Sequence, residues 1–508
     1  MKRVLVRGII FAALATACLA AALPKKPKLI LTIVIDQFRY DYLTRYRSEY
    51  TAGFHRLLTE GAVFTNANYV HVPTITAVGH STILSGATPS ISGIVANDWF
   101  DRDENEAVTS VSDSATKVLG GAPGKGSSPR RMLVDTIGDE MKMANTHSHA
   151  IGVSLKDRSA ILPIGHTADG AFWFDPKTGN FVTSTYYFPE LPGWVKDFNA
   201  AHPADRYKGV TWQNHKMPAD NTLYTKLEPT PFANELIEEF AERALTATQL
   251  GTHDATDLFL VSFSANDYVG HEYGPDSPEA HAISVSTDQV LDKLLKAVER
   301  QAGAGNVLVV LTADHGGSPL PETNTGRKMP GGRYVSTNLK SVVQSALYHR
   351  YGNGDWVAGS WDLSFYLNRR LIAQRGLDLA EVQHTAAHAL EAMPHIFRVY
   401  TSEDLAHGRV LPDEVTRKVV NGFNLRRGPD VELIPDPYWV VRTDDKGTSH
   451  ATPFSYDTHV PVIFMGAGIR AGIYPQSVTV NDIAPTLAAI CEIEPPAGSI
   501  GRVLTEIF

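Results

Sequence analysis

The sequence predicts an α/β fold: a mostly parallel central sheet flanked by helices and carrying inserted cap segments. Three observations carry that expectation. Short β-branched runs, apolar throughout, each end in a polar or acidic residue, and most are followed by helical periodicity. The chain has 508 residues, 43% of them apolar, which is ample for a large core without staples. Runs that are apolar on both faces suit strands buried between helix layers, and ligand groups in such sheets gather beyond the carboxyl ends of the strands.

Taken in order, the run Leu29–Ile35 (LILTIVI) leads into Asp36, and 150–153 leads into Ser154. Asp257–Phe263 (DLFLVSF) leads into Ser264-Ala265-Asn266-Asp267, and 306–312 (NVLVVLT) into Ala313-Asp314-His315. Residues 460–465 (VPVIFM) lead into Gly466. Helices are expected over 231–250 and Pro278–Ala302, the second with Val290, Leu291, Leu294, Leu295 and Val298 on one face. Residues 159–228, rich in Trp, Tyr, Pro and Asn, and residues 318–440, with a Gly/Pro-rich start, break the rhythm. They are expected to be cap insertions roofing the site. The Gly-rich stretch 120–128 (GGAPGKGSS) is not a P-loop, because Gly126 follows Lys125 where the motif needs Ser or Thr, and Leu119 stands where it needs its first Gly.

At the N-terminus, Lys2, Arg3 and Arg7 precede an apolar run of about fifteen residues ending in small residues, shorter than the ~20 that cross a bilayer. This reads as a signal peptide over residues 1–22, cut after Ala22 in an Ala20-x-Ala22 pattern, with a mature protein exported to the periplasm or secreted. Lipid attachment at Cys18 is a weaker alternative. Cleavage removes three positive charges, taking the formal charge from −9 to −12, and leaves Cys491 as the single thiol, so no intramolecular disulfide forms. No later segment approaches membrane-spanning length, and an acidic chain without basic clusters is not expected to bind nucleic acid.

The chemistry is concentrated at strand ends. Asp267-x-x-x-His271 places a carboxylate and an imidazole one helical turn apart; Asp36, Asp314 and His315 follow buried strands, and His450 precedes another. Taken singly, each has a plain alternative: an Asp after a strand caps a helix, and a buried His is a hydrogen-bonded core residue. Gathered at the ends of one open sheet, oxygen and nitrogen donors without cysteine suit zinc in a catalytic setting. A nucleophile is available in Pro73-Thr74-Ile75-Thr76-Ala77-Val78-Gly79-His80-Ser81, where a loop enters a helix and backbone N–H groups favour a phosphoryl group. Thr74 and Thr76 are both candidates, and either could instead cap the helix.

The stretch Thr76 to Asn97 (TAVGHSTILSGATPSISGIVAN), together with SANDYVGH, TADHGG and GTSH followed by YDTHVPV, resembles the alkaline phosphatase superfamily. More narrowly it is similar to the single-chain bacterial enzymes that use threonine as nucleophile, relatives of the nucleotide pyrophosphatase/phosphodiesterases. The resemblance implies two Zn2+ ions, one held by Asp36, Asp314, His315 and Thr76 and the other by Asp267, His271 and His450, with His459 the rival for the last ligand. It makes Thr76 the nucleophile, four positions before His80, and Asn97 a phosphate contact. It also makes Lys156 and Arg158, in Ser154-Leu155-Lys156-Asp157-Arg158, the cationic pair that holds phosphoryl oxygens in the monoesterases of the group, where the diesterase relatives use an apolar pocket.

The resemblance therefore implies zinc-dependent hydrolysis of small-molecule phosphate monoesters of broad range through a phosphothreonine intermediate. A phosphodiesterase or nucleotide pyrophosphatase shares every metal ligand and is the alternative. A sulfatase is disfavoured by the absence of Cys-x-Pro-x-Arg, and an idle binding module by the intact ligand set. Trp99, Trp173, Tyr186 and Tyr187 belong either to a substrate wall or to the cap core. The oligomeric state is not legible.

Overall fold

A computed structural model of the chain describes residues 26–466 and 468–508. The expected signal peptide and Cys18 lie outside the described residues. Among those residues, eleven strands form one mixed sheet. At its centre Val307–Thr312, Leu29–Ile35, Asp257–Phe263, Ala150–Ser154 and Gly170–Asp175 run parallel. Leu29–Ile35 and Asp257–Phe263 are buried at every position, as continuous apolar runs require of strands covered on both faces. The register pairs Ile35 with Phe263, so Asp36 and the segment reaching Asp267 emerge at the same edge.

The expected helices flank this sheet. Pro231–Thr248 and Pro278–Ala302 pack against each other, and the latter buries Val290, Leu291, Leu294, Leu295 and Val298. Pro at the first position of each suits a helix start, where no backbone donor is lost. Ser277 accepts from the Ala280 N–H and closes the N-terminus of the longer one.

Val462–Gly466 pairs antiparallel to Val307–Thr312, not parallel to it. Its beginning therefore lies beside the carboxyl ends of the parallel strands, which is what brings the preceding loop, with His450, to the site. The segment 159–228 contributes two strands to the large sheet. Gly170–Asp175 continues the central sheet in parallel with Ala150–Ser154, Asn180–Ser184 follows antiparallel, and Asp157–Ile161 packs against the helix Thr76–Ser85. The edge was hidden because its pairing partners, Ser112–Leu119 and Lys125–Ser127, have no apolar pattern to announce a strand.

The segment 318–440 carries a second sheet. Val357–Trp361, Ser364–Leu367, Val431–Pro435 and Ile396–Thr401 make a four-stranded antiparallel sheet, backed by the helices Ser336–Tyr351 and Leu379–Glu391. Its leading strand lies against Asp98–Asp101, the strand that begins directly after Asn97. No helix among the described residues is long and apolar enough to cross a membrane. Cys491 is buried in Ile483–Cys491, where burial pushes its thiol up to about 12, so it packs as a small apolar residue.

Candidate active site

Three carboxylates and three imidazoles converge at the carboxyl end of the parallel strands. Asp36 ends one central strand, Asp314 and His315 follow its neighbour, and Asp267 sits in the first turn of the helix Ala265–Tyr273 with His271 one turn on. Ligand atoms of Asp36, Asp314 and His315 lie within 4.8 Å of one another, as do those of Asp267, His315 and His450. In the second set His271 Nε2 is also close, 3.3 Å from Asp267 Oδ1 and 3.2 Å from His450 Nε2.

Each imidazole is held by its Nδ1. His450 Nδ1 donates to the Thr74 carbonyl at 2.7 Å, His271 Nδ1 to the Thr448 carbonyl at 2.8 Å, and His315 Nδ1 to the Gly316 carbonyl at 2.8 Å. A carbonyl only accepts, so each Nδ1 carries the proton and each Nε2 presents a lone pair to the cluster, the tautomer a metal ligand needs. Burial is the main cause holding His450 and His315 below the usual histidine range, which keeps both neutral; Asp267 more than offsets burial at His271 and raises it.

Charge in the cluster is unbalanced. Burial, followed by the neighbouring Asp314, pushes the Asp36 carboxyl well up. Burial acts in the same sense on Asp267, but Lys156 and His271 outweigh it and hold that carboxyl low. Asp36 Oδ1, Asp314 Oδ2 and His315 Nε2 are inaccessible and have no hydrogen-bond partner, yet the imidazole nitrogen lies 3.5 Å from each oxygen. A single buried unsatisfied polar atom costs about 1–3 kcal/mol. Three lone-pair donors left unsatisfied and facing one point fit a divalent cation with borderline N/O preference.

Thr76 opens the helix Thr76–Ser85 at the edge of this cluster and is 2% exposed. Its neighbour's backbone is secured from outside the helix: Ala77 N–H donates to Asn97 Oδ1 at 2.9 Å. The side-chain carbonyl of Asn97 is thereby engaged at the helix N-terminus. One turn on, His80 Nδ1 donates to the Thr76 carbonyl at 2.9 Å and lies 3.2 Å from Asp314 Oδ2. Between them Gly79 allows the closest approach, since a Cβ there would stand 2.1 Å from the Asp314 carbonyl oxygen.

Lys156 is buried, with Nζ 2.6 Å from Asp36 Oδ2, 2.6 Å from Asp267 Oδ2 and 3.4 Å from Thr76 Oγ1. It therefore spans the two carboxylate sets and touches the threonine hydroxyl. Arg158, two residues on, has an inaccessible Nε with no partner.

The chain was compared with known proteins. The family model for type I phosphodiesterase/nucleotide pyrophosphatase matches residues 30–460. The chain belongs to that family. Within it, the chain is 34% identical to alkaline phosphatase PafA of Elizabethkingia meningoseptica over 95% of each chain. It is 36% identical to alkaline phosphatase PhoV of Synechococcus elongatus over 95% of this chain and 93% of the relative. The crystal structure of wild-type PafA superposes with a TM-score of 0.88, covering 95% of this chain and 99% of that one at 33% identity. A variant of PafA solved in the same fold is altered at a threonine, an asparagine, a lysine and an arginine, the types and order of Thr76, Asn97, Lys156 and Arg158 here.

In this member of the type I phosphodiesterase/nucleotide pyrophosphatase family, the side chains of Thr74 and His459 are engaged elsewhere. Thr74 donates its hydroxyl to the Thr452 carbonyl at 3.0 Å. His459 places Nε2 3.0 Å from the Thr65 carbonyl and stacks on Tyr40 with ring centroids 4.5 Å apart. Trp99 and Trp173 are buried in the core, while Tyr187 meets Tyr186 edge-on and Tyr186 lies under the Arg130 guanidinium. Sequence reasoning passed over Gln37, and used His80 only as a landmark. Both touch the carboxylates, and the only available signal was their place beside Asp36 and Thr76 in the motifs.

Proposed function

We propose that this chain hydrolyses phosphate monoesters of broad range through a phosphothreonine intermediate, using two zinc ions. The activity follows from membership alongside alkaline phosphatases that match nearly the whole chain. The observation that carries the mechanism is the common Nε2 lone-pair orientation of His271, His315 and His450 around three carboxylates. Asp36, Asp314, His315 and Thr76 would hold one ion, and Asp267, His271 and His450 the other. When bound, the ions supply Lewis-acid stabilisation of the attacking and leaving oxygens.

The protein's own groups supply the rest. Thr76 Oγ gives up its proton to solvent and forms a bond to phosphorus as the ester P–O bond breaks, and the departing alkoxide takes a proton from solvent. Water then displaces the threonine oxygen, releasing phosphate and restoring the hydroxyl. Asn97, through its side-chain amide, and Lys156 and Arg158, through their charges, hold the non-bridging oxygens. A monoester dianion presents one more charged oxygen than a diester, so the cations Lys156 and Arg158 favour it.

The family's description favours a second reading, phosphodiesterase or nucleotide pyrophosphatase action at the same site. Comparing kcat/KM for an aryl phosphate and its methyl diester, with and without a chelator, tests both. A dominant, chelator-sensitive monoesterase supports the first reading, and a dominant diesterase replaces it. We further read residues 1–22 as an export signal, giving a periplasmic or secreted enzyme, with lipid attachment at Cys18 the lesser alternative. Residues 23–508 then form one catalytic unit with cap insertions.

A further inference from the structure

Gln37 occupies an unusual place. It follows Asp36 directly, is 4% exposed, and has φ 58°, in the left-handed region that a side chain with a Cβ disfavours. That backbone turn lets one residue reach two carboxylates on different elements. Its N–H donates to Asp314 Oδ1 at 3.1 Å, and its Nε2 donates to Asp267 Oδ1 at 2.7 Å.

The space for its amide is cut from two glycines. A Cβ at Gly270 would stand 1.8 Å from Gln37 Oε1, and one at Gly317 would stand 2.9 Å from it. Gly270 immediately precedes His271, and Gly317 follows His315 by two residues, so Gln37 is wedged between the two ligand-bearing segments. A left-handed non-glycine residue persists where surrounding contacts over-determine it, and such residues cluster at functional sites.

We propose that Gln37 is a positioning residue that bridges the two halves of the metal centre, each through its own contact. Its backbone orients Asp314 in one half, and its side-chain amide orients Asp267 in the other. The inference rests on the two-zinc reading above. The amide holds one lone pair of Asp267 Oδ1 and fixes the plane of that carboxylate, as outer partners of metal-binding carboxylates do. Removing the amide while keeping the backbone N–H therefore loosens the Asp267, His271 and His450 half selectively.

The test is Gln37→Gly, which retains the N–H, accepts the positive φ and deletes the amide. Zinc content of the full-length protein is followed through a graded chelator titration, alongside melting of the metal-free form. The expected result is loss of one zinc at a chelator strength roughly 10–100-fold below that needed for the parent, the second zinc being retained as in the parent. The metal-free Tm should not fall. Gln37→Met, of equal length and without a donor, is read the same way should glycine compromise folding. Parent-like titration, or simultaneous weakening of both ions, overturns the selective positioning of Asp267 by the amide and leaves the functional reading standing. A parent protein that binds no zinc pair overturns the functional reading and this inference with it.

Discussion

The Lys156 ammonium stands 3.4 Å from the Thr76 hydroxyl, and both side chains are buried. The proposed nucleophile thus has a cation at its side before any substrate arrives. Thr76→Ala should lower monoester turnover by at least about a thousandfold, in line with removal of other nucleophiles. Its Tm should match the parent, because the helix is secured by Asn97 and His80 rather than by the threonine hydroxyl. Full activity in that variant refutes the assignment.

Lys156→Ala separates substrate binding from charge balance. Loss of one oxygen-binding cation should cost about 100-fold in kcat/KM for a monoester and less than about 10-fold for a methyl diester. It also strands Asp36 and Asp267, so the metal-free protein should melt lower, by an amount reflecting the roughly 3–5 kcal/mol of a broken buried ion pair. Zinc should restore much of that difference. Equal losses on both substrates would argue against a phosphoryl contact.

Chelation should abolish activity, and added zinc should recover it. Because the ions bind the folded state, Tm should rise with free zinc, by about 2.7 kcal/mol of stabilisation at a hundred times the Kd of a site. A Tm insensitive to zinc and chelator would count against the centre.

Ala451 follows the candidate ligand His450 with φ 92°. A non-glycine residue there carries strain on the order of 1 kcal/mol or more. Ala451→Gly should hold or slightly raise Tm while activity falls little, measured by thermal melting and monoester turnover. A clear destabilisation would show that the methyl group packs more favourably than the backbone strain costs.

Glu432 lies on the four-stranded sheet, in the strand Val431–Pro435. Burial pushes its carboxyl up to about 8, and Oε1 is inaccessible with no partner. Its folded-state pKa is above its unfolded value, so the protonated acid is the stabilised form. Its contribution is complete below the unfolded pKa and is lost as pH rises towards the folded one. Glu432→Gln should therefore melt roughly 3–6 °C above the parent at pH 9 and within about 1 °C of it at pH 5, for a relief on the order of 3 kcal/mol. A pH-independent difference would contradict this.

Much of the site was legible in the residues. Asp36, Asp267 and Asp314 end or follow apolar runs, and the position of ligands beyond strand ends is a property of parallel sheets that pattern alone conveys. Pro278–Ala302 was legible to the residue because its apolar spacing and its Pro start are local signals.

Other features belong to the tertiary structure. An apolar run reads the same in either direction, so the antiparallel setting of Val462–Gly466, which delivers His450, depends on its partner Val307–Thr312. The surroundings of His450 and His459 are likewise tertiary: the Thr74 carbonyl lies behind one ring, Tyr40 and the Thr65 carbonyl around the other. The sequence alone determined which chemical groups are available and which strands present them. Tertiary structure decided which imidazole nitrogen bears the proton and that Gln37 spans two carboxylates, because hydrogen-bond partners up to 376 residues away along the chain set both.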